Sequence, residues 1–256
     1  MTVRAGYRVA GVLALALLVG GCAATADRPV SGDRQEAAEV HAELGIGYLR
    51  EGEFEQAERN LRRALDYDPG YALANIGMAA VMERKGDTTA AEDHYRSALR
   101  RDPGNPFAQT NLGALLCGRG DFDEAQELFA KAIANPDYDR RDIAYMNSGV
   151  CHFDAGDREE AERQLRRALE LDPQYPRALL EMARLTYDDG RPMQTRAFLQ
   201  RLDGQGVQNA ETLLLCYQAE TALGNSRSAN ACADRLNRQF PDSPELEELR
   251  RLEREG

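Results

Sequence analysis

Residues 106–139 read PFAQTNLGALLCGRGDFDEAQELFAKAIANPDYD, and this stretch decides the fold. Ahead of Gly120, the residues Leu112, Gly113 and Leu116 recur at helical steps; behind it, Ala125, Phe129 and Ala132 do the same. That spacing describes two amphipathic helices. The glycine between them suits the left-handed conformation that ends the first. Working outward, Gly52, Gly86, Gly120, Gly156, Gly190 and Gly224 stand 34, 34, 36, 34 and 34 residues apart. A fixed period of this size predicts a helical solenoid, because one helix pair cannot bury its apolar face alone and must stack on the next.

The register extends in both directions. A first copy from residue 38 places Leu44, Gly45 and Tyr48 before Gly52, then Ala57, Leu61, Ala64 and Pro69 after it. A second, from Ala72, answers with Met78, Ala79, Met82, Ala91, Tyr95, Ala98 and Pro103. Acids follow the glycine in Gly86-Asp87, Gly120-Asp121 and Gly156-Asp157, where a carboxylate favours the positive end of the second helix. Asp68-Pro69, Asp102-Pro103 and Asp172-Pro173 stop that helix, since the residue before proline is pushed out of helical geometry. Gly45 with Ala57, Gly113 with Ala125 and Gly149 with Ala161 let paired helices approach closely.

These residues resemble the tetratricopeptide repeat, an all-α, right-handed superhelical solenoid. Six units cover residues 38–71, 72–105, 106–141, 142–175, 176–209 and 210–243, the fourth delayed by two residues in the loop from Asn135 to Arg141. Thr195 and Leu202 in the fifth unit and Tyr217 in the sixth replace small residues, so looser packing is expected there. Residues 244–256 carry Leu246, Leu249 and Leu252 on one side of a charged helix that would cap the stack.

Residues 1–21 hold two arginines, no acid, and an apolar run from Val9 to Val19 that is too short to span a bilayer, the layout of a secretory signal. Leu18 to Cys22 resembles the bacterial lipobox, which implies a covalent lipid on Cys22; no cofactor is expected. Two acyl signals hold a protein stably on a membrane. Ala23 in place of aspartate after the cysteine favours the periplasmic face of the outer membrane. Residues 22–37 read as a lipidated tether. Loss of residues 1–21 would change the net charge from −11 to −13, which makes nucleic acid and anionic lipid poor partners.

Four further cysteines in an oxidising compartment raise the prospect of bridges. Cys117 and Cys151 lie on first helices that run side by side in adjacent units, which predicts one bridge. Cys216 and Cys232 lie in the two helices of one unit and form the natural second pair; free buried thiols are the alternative.

No catalytic site assembles, and an enzyme is not expected. His41, His94 and His152 occupy different positions of different units, no cluster has metal-ligand spacing, and every repeat glycine is explained by its turn. Glu159-Glu160 and Asp188-Asp189 read as solvated faces. What remains is the stripe on each first helix that lines the concave surface in this repeat class. It holds Leu73, Ile76, Ala80, Phe107, Thr110, Ala114, Ile143, Met146, Val150, Phe153, Leu180 and Tyr187, with Asn111 and Asn147 beside it and no basic residue before Arg177 and Arg184. Such a groove suits an apolar strand or amphipathic helix of a protein partner. Inter-repeat core is the competing reading of the same stripe.

Lipobox, tether and six repeats together resemble the type IV pilus biogenesis and stability lipoproteins of the PilF/PilW family. The likeness is densest from Asn111 to Cys151, in Asn111-Leu112-Gly113, Leu116-Cys117, Pro136-Asp137-Tyr138 and Tyr145 through Cys151. It implies an outer-membrane pilotin that helps the pilus secretin to localise or multimerise; a monomer is expected. Another repeat lipoprotein, for tight-adherence pili or outer-membrane protein assembly, and an adaptor that recruits peptidoglycan enzymes are the alternatives.

Overall fold

The structure, a computed structural model, describes residues 32–255, so Cys22 and the signal-like segment lie outside the described residues. The described chain is a single solenoid of helix pairs. First helices are α1 (Gly32–Glu51), α3 (Ala72–Arg84), α5 (Pro106–Arg119), α7 (Arg141–Asp154), α9 (Pro176–Asp188) and α11 (Ala210–Ala222). Each is followed by a second helix: α2 (Phe54–Tyr67), α4 (Thr88–Arg101), α6 (Phe122–Ala134), α8 (Arg158–Leu171), α10 (Pro192–Asp203) and α12 (Ser226–Gln239). The last, α13 (Pro244–Glu255), closes the stack.

One turn is used six times. The ladder glycines all have positive φ, from 68° at Gly190 to 93° at Gly120. After Gly120, the Asp121 amide donates to the Leu116 carbonyl at 2.9 Å and Gly120 donates to Cys117 at 2.9 Å, satisfying carbonyls that the helix end would leave unpaired. The six-residue bond recurs from Glu53 to Tyr48, Asp87 to Met82, Asp157 to His152, Arg191 to Thr186 and Asn225 to Glu220. The Asp87 and Asp157 carboxylates accept from the Ala90 and Glu160 amides as caps, whereas Asp121 makes no such bond.

Glycine also sets the distance within a pair. A β-carbon added to Gly113 would lie 2.8 Å from the Phe129 ring, and one on Gly149 would lie 2.7 Å from Leu165 and 3.1 Å from the Ala161 carbonyl. The close partner is therefore the large residue one turn beyond the alanine. Ion pairs link successive units on the outside: Glu58 with Lys85 at 2.6 Å, Glu92 with Arg119 at 2.6 Å, and Glu162 with Arg191 at 2.8 Å.

Two expectations change. Residues 32–37, read as tether, form the start of α1, with Asp33 in the first turn where a carboxylate meets the positive helix end. The looser packing does not arise inside the fifth unit. Thr195 and Leu202 are buried, and the Thr195 hydroxyl meets that of Thr186 at 3.1 Å. Tyr217 packs, half-buried, on the terminal cluster in which Leu246 and Leu249 cover Ala210, Leu213, Ala233 and Leu236.

Candidate concave groove

The first helices present their second stripe along the concave side, and the structure divides it. Met146 is fully buried among Ala161, Leu165, Ala178, Met182 and Leu185, so it belongs to inter-unit core rather than to a groove. Thr110, 1% exposed, is likewise enclosed. Met146 sits where the next unit's first helix leans against its own, and that neighbour removes it from solvent. Leu73, Ile76, Ile143, Val150 and Leu180 are half-buried, with Leu73, Ile76, Val150 and Leu180 resting one side on core clusters. Phe107 is 49% exposed.

Phe107 is held from behind. The two extra residues before the fourth unit fold Tyr138 inward onto Ala132 and Ala144, and its ring meets Phe107 edge-on with centroids 5.1 Å apart. Burial pushes the Tyr138 phenol above its ordinary value. The Asn135 side chain ties the same loop to the Gly104 carbonyl at 3.2 Å.

Asn111 and Asn147 stand at matching positions of adjacent units, half-buried, and neither side-chain amide hydrogen-bonds to any described residue. Asn111 borders a depression of about 480 Å³ lined by Glu83, Ala114, Leu115, Gly118 and Arg119. Apart from its own helix backbone and chain neighbours, nothing lies within 4 Å of where a Gly118 β-carbon would sit. Unlike Gly113, it leaves space that no packing requires. The contrast with Asn75 is direct, for its amide donates to the Pro69 carbonyl at 2.9 Å and its oxygen faces His94 at 3.0 Å.

Past the fourth unit the stripe becomes charged. Arg184 binds Glu181 at 2.9 Å and also Glu211 of the next unit. Burial raises the Glu181 carboxyl above its ordinary value, while the Glu211 hydrogen bond raises Arg184. This triad was missed in the sequence, although Glu181 and Arg184 are three residues apart and Glu211 is the second residue of its unit.

The other predicted sites are placed as follows. Cys117 and Cys151 have α-carbons 5.6 Å apart, and Cys216 and Cys232 6.0 Å, both within reach of a disulfide. His41 faces Asn60, and His152 faces Asp157, as packing and surface histidines. Glu159 and Glu160 pair with Arg163, and Asp189 with Arg158 and Arg191. Among the described residues no His, Cys, Asp and Glu cluster could hold a metal, and no helix is long and apolar enough to cross a membrane.

Comparison with known proteins agrees with this architecture. Tetratricopeptide repeat models match residues 43–106, 106–174 and 152–211. The type IV pilus assembly protein PilF of Pseudomonas aeruginosa is 31% identical over 252 residues, covering 97% of this chain and 98% of its own. The solved P. aeruginosa PilF structure superposes with a TM-score of 0.76 at 29% identity, over 85% of this chain and 98% of that one. PilW, described as a widely conserved type IV pilus biogenesis factor, gives a TM-score of 0.77 at 30% identity, over 83% and 97%. The Cut9–Hcn1 complex, at 18% identity and a TM-score of 0.73, shares the fold alone. With the repeat, the helix order and a full-length relative in agreement, the chain belongs to the tetratricopeptide-repeat PilF/PilW family of type IV pilus biogenesis proteins.

Proposed function

We propose that this chain is a pilotin: a lipoprotein anchored through Cys22 on the periplasmic face of the outer membrane, whose groove holds a segment of the pilus secretin during localisation or multimerisation. The supporting observation is the pair Asn111 and Asn147. Two unspent amides, one unit apart, accompany half-buried Ile76, Ile143 and Val150 and exposed Phe107, so the groove offers hydrogen bonds to a bound backbone and apolar contact to its side chains. A partner segment with apolar residues on one side fits that combination. The acidic charge of the chain disfavours a nucleic-acid role.

Ile143→Asp places a charge in the groove without touching the glycine contacts. Secretin multimers should fall and pilus assembly should fail while the melting temperature stays within about 2 °C, since half-exposed sites tolerate substitution. Normal multimers and piliation, in this variant and in a gene deletion, would sink the pilotin reading. Unfolding of the variant would return Ile143 to the core. Fractionation of Cys22→Ser tests the anchor, and retention of that variant in the outer membrane would refute it.

A further inference from the structure

The two ends of the stack are finished differently. At the far end α13 turns Leu246 and Leu249 inward and leaves Glu247, Arg250 and Arg254 in solvent, the polar outer face that a terminal cap requires. At the near end α1 leaves Val40 and Leu44, one turn apart, 49% and 48% exposed. Gly47 continues that strip. Apart from its own helix backbone and chain neighbours, nothing lies within 4 Å of where its β-carbon would sit.

The repeat register shows what such a strip receives. Val40, Leu44 and Gly47 occupy the positions of Ala74, Met78 and Val81 and of Ala178, Met182 and Leu185, none of them more than 3% exposed. Those triplets pack on the second helix of the preceding unit, through Ala57, Leu61 and Ala64 in one case and Ala161, Leu165 and Ala168 in the other. Alanine, leucine and alanine at steps of four and three form the covering seam. The charge at its edge is reversed in the first unit. Lys85 and Arg119, each just before its ladder glycine, pair at 2.6 Å with Glu58 and Glu92 of the covering helix, whereas the same position of α1 is Glu51. Glu36, Glu43 and Glu51 are exposed and bond to no described residue, with Arg50 on their flank. Arg34 is turned away, donating to the Asp66 carbonyl at 3.0 Å.

We propose that this strip docks an amphipathic helix of a separate protein partner, one that repeats the seam of α2 with a lysine or arginine in place of Glu58. Its apolar residues cover Val40 and Leu44 as α2 covers Met78, and its base meets Glu51. Gly47, smaller than Val81, admits a larger residue. Charge decides among occupants. A second copy brings either another α1, acidic on this face, or α13, which exposes Glu247, Arg250 and Arg254 rather than leucines. Residues 22–31 bring one base, Arg28, and one acid, Asp27. Anionic lipid is repelled by the same glutamates. On α1 the strip lies about 120° around the helix from Ile46, which continues the groove line of Ala80, Ala114 and Val150. The site is thus distinct from the groove.

The probe is a blocked peptide of residues 53–69, stapled on its outward face to hold the helix, made once with Glu58→Lys and once with native Glu58. Titrating the full chain with each, followed by methyl NMR, should give saturable shifts of Val40 and Leu44 with the lysine peptide and binding about fivefold weaker with the glutamate peptide. Leu44→Glu should abolish binding while the melting temperature stays within about 2 °C. Glu51→Lys, at an exposed position, should reverse the preference, so that the glutamate peptide binds more tightly. Absence of saturable binding by the lysine peptide, undiminished binding to Leu44→Glu, or an unchanged preference in Glu51→Lys would overturn the site. Unfolding of Leu44→Glu would do the same, since the strip would then be core. Binding only after removal of residues 1–31 would assign the strip to that segment. Leu44-dependent attachment to vesicles of phosphatidylethanolamine and phosphatidylglycerol would assign it to lipid, and Leu44-dependent self-association to a second copy. Each of these three results overturns the separate partner.

Discussion

In the third and fourth units, the paired helices touch through Gly113 and Gly149 and a cysteine pair spans the two units; in the fifth and sixth, Ala183 and Tyr217 stand in those places and the cysteine pair stays within one unit. In a solenoid each unit is stabilised by its nearest neighbours, so a fastening across a junction differs in kind from one inside a hairpin. Cys117 and Cys151 fasten a junction. Cys216 and Cys232 leave the junction before the sixth unit unfastened, and there a cavity of about 130 Å³ lies. The concave side changes along the same boundary, from apolar around Ile143 to ionic around Arg184. A cysteine pair across units and apolar surface coincide in the middle; a cavity and charge coincide at the end.

The largest test breaks the two cysteine pairs in turn. By the cost of closing their loops, Cys117→Ser with Cys151→Ser should lower stability by about 4 kcal/mol and Cys216→Ser with Cys232→Ser by about 3. Urea unfolding of both double variants checks the order, and equal losses at every probe position would remove the distinction between junction and hairpin. Next, Gly149→Val forces a side chain against Leu165 and the Ala161 carbonyl, for a loss of about 1–3 kcal/mol. An unchanged melting curve would show that the pair can open. Gly118→Ala should have the opposite sign, a gain of roughly 0.5–1 kcal/mol, because this helical glycine has empty space beside it. Destabilisation would show that the depression beside Asn111 is closed.

The smallest effect is on acid stability. Hydrogen bonds from Lys85, Arg119 and Arg191 hold the carboxyls of Glu58, Glu92 and Glu162 below their ordinary value. The stability from these pairs is present above the unfolded carboxyl's value and is lost as pH falls through the lower folded values. Replacing Glu58, Glu92 and Glu162 together by Gln should flatten the urea midpoint against pH below roughly pH 4.5. A profile as steep as the parent's would assign the acid loss to other carboxylates.

The helix pairs, their turns and the two cysteine pairings were legible because each depends on one residue type at one register position, as Gly120 and Asp102 illustrate. The groove was legible only in outline. Met146 and Ile143 share a stripe in the sequence, yet the lean of the neighbouring unit buries one and leaves the other half open, and helical spacing carries no information about that lean. In the sequence Tyr138 belongs to an irregular loop, but its inward fold depends on the pocket between Ala132 and Ala144, which exists only after two units have stacked. The cavity near Glu220 was hidden for a related reason. Cys216 and Ala219 are unremarkable as singles and open a space only as neighbours.

The edge-on contact between Tyr138 and Phe107 bears on how fast and how firmly a partner is held. An aromatic ring half in water ordinarily samples several orientations and must surrender them on binding, at about 0.5–1.5 kcal/mol for each side chain immobilised. Phe107, braced by a ring that is itself buried, has already given up much of that freedom during folding. Part of the entropic cost of recognition is therefore met once, when the solenoid forms, instead of at every encounter.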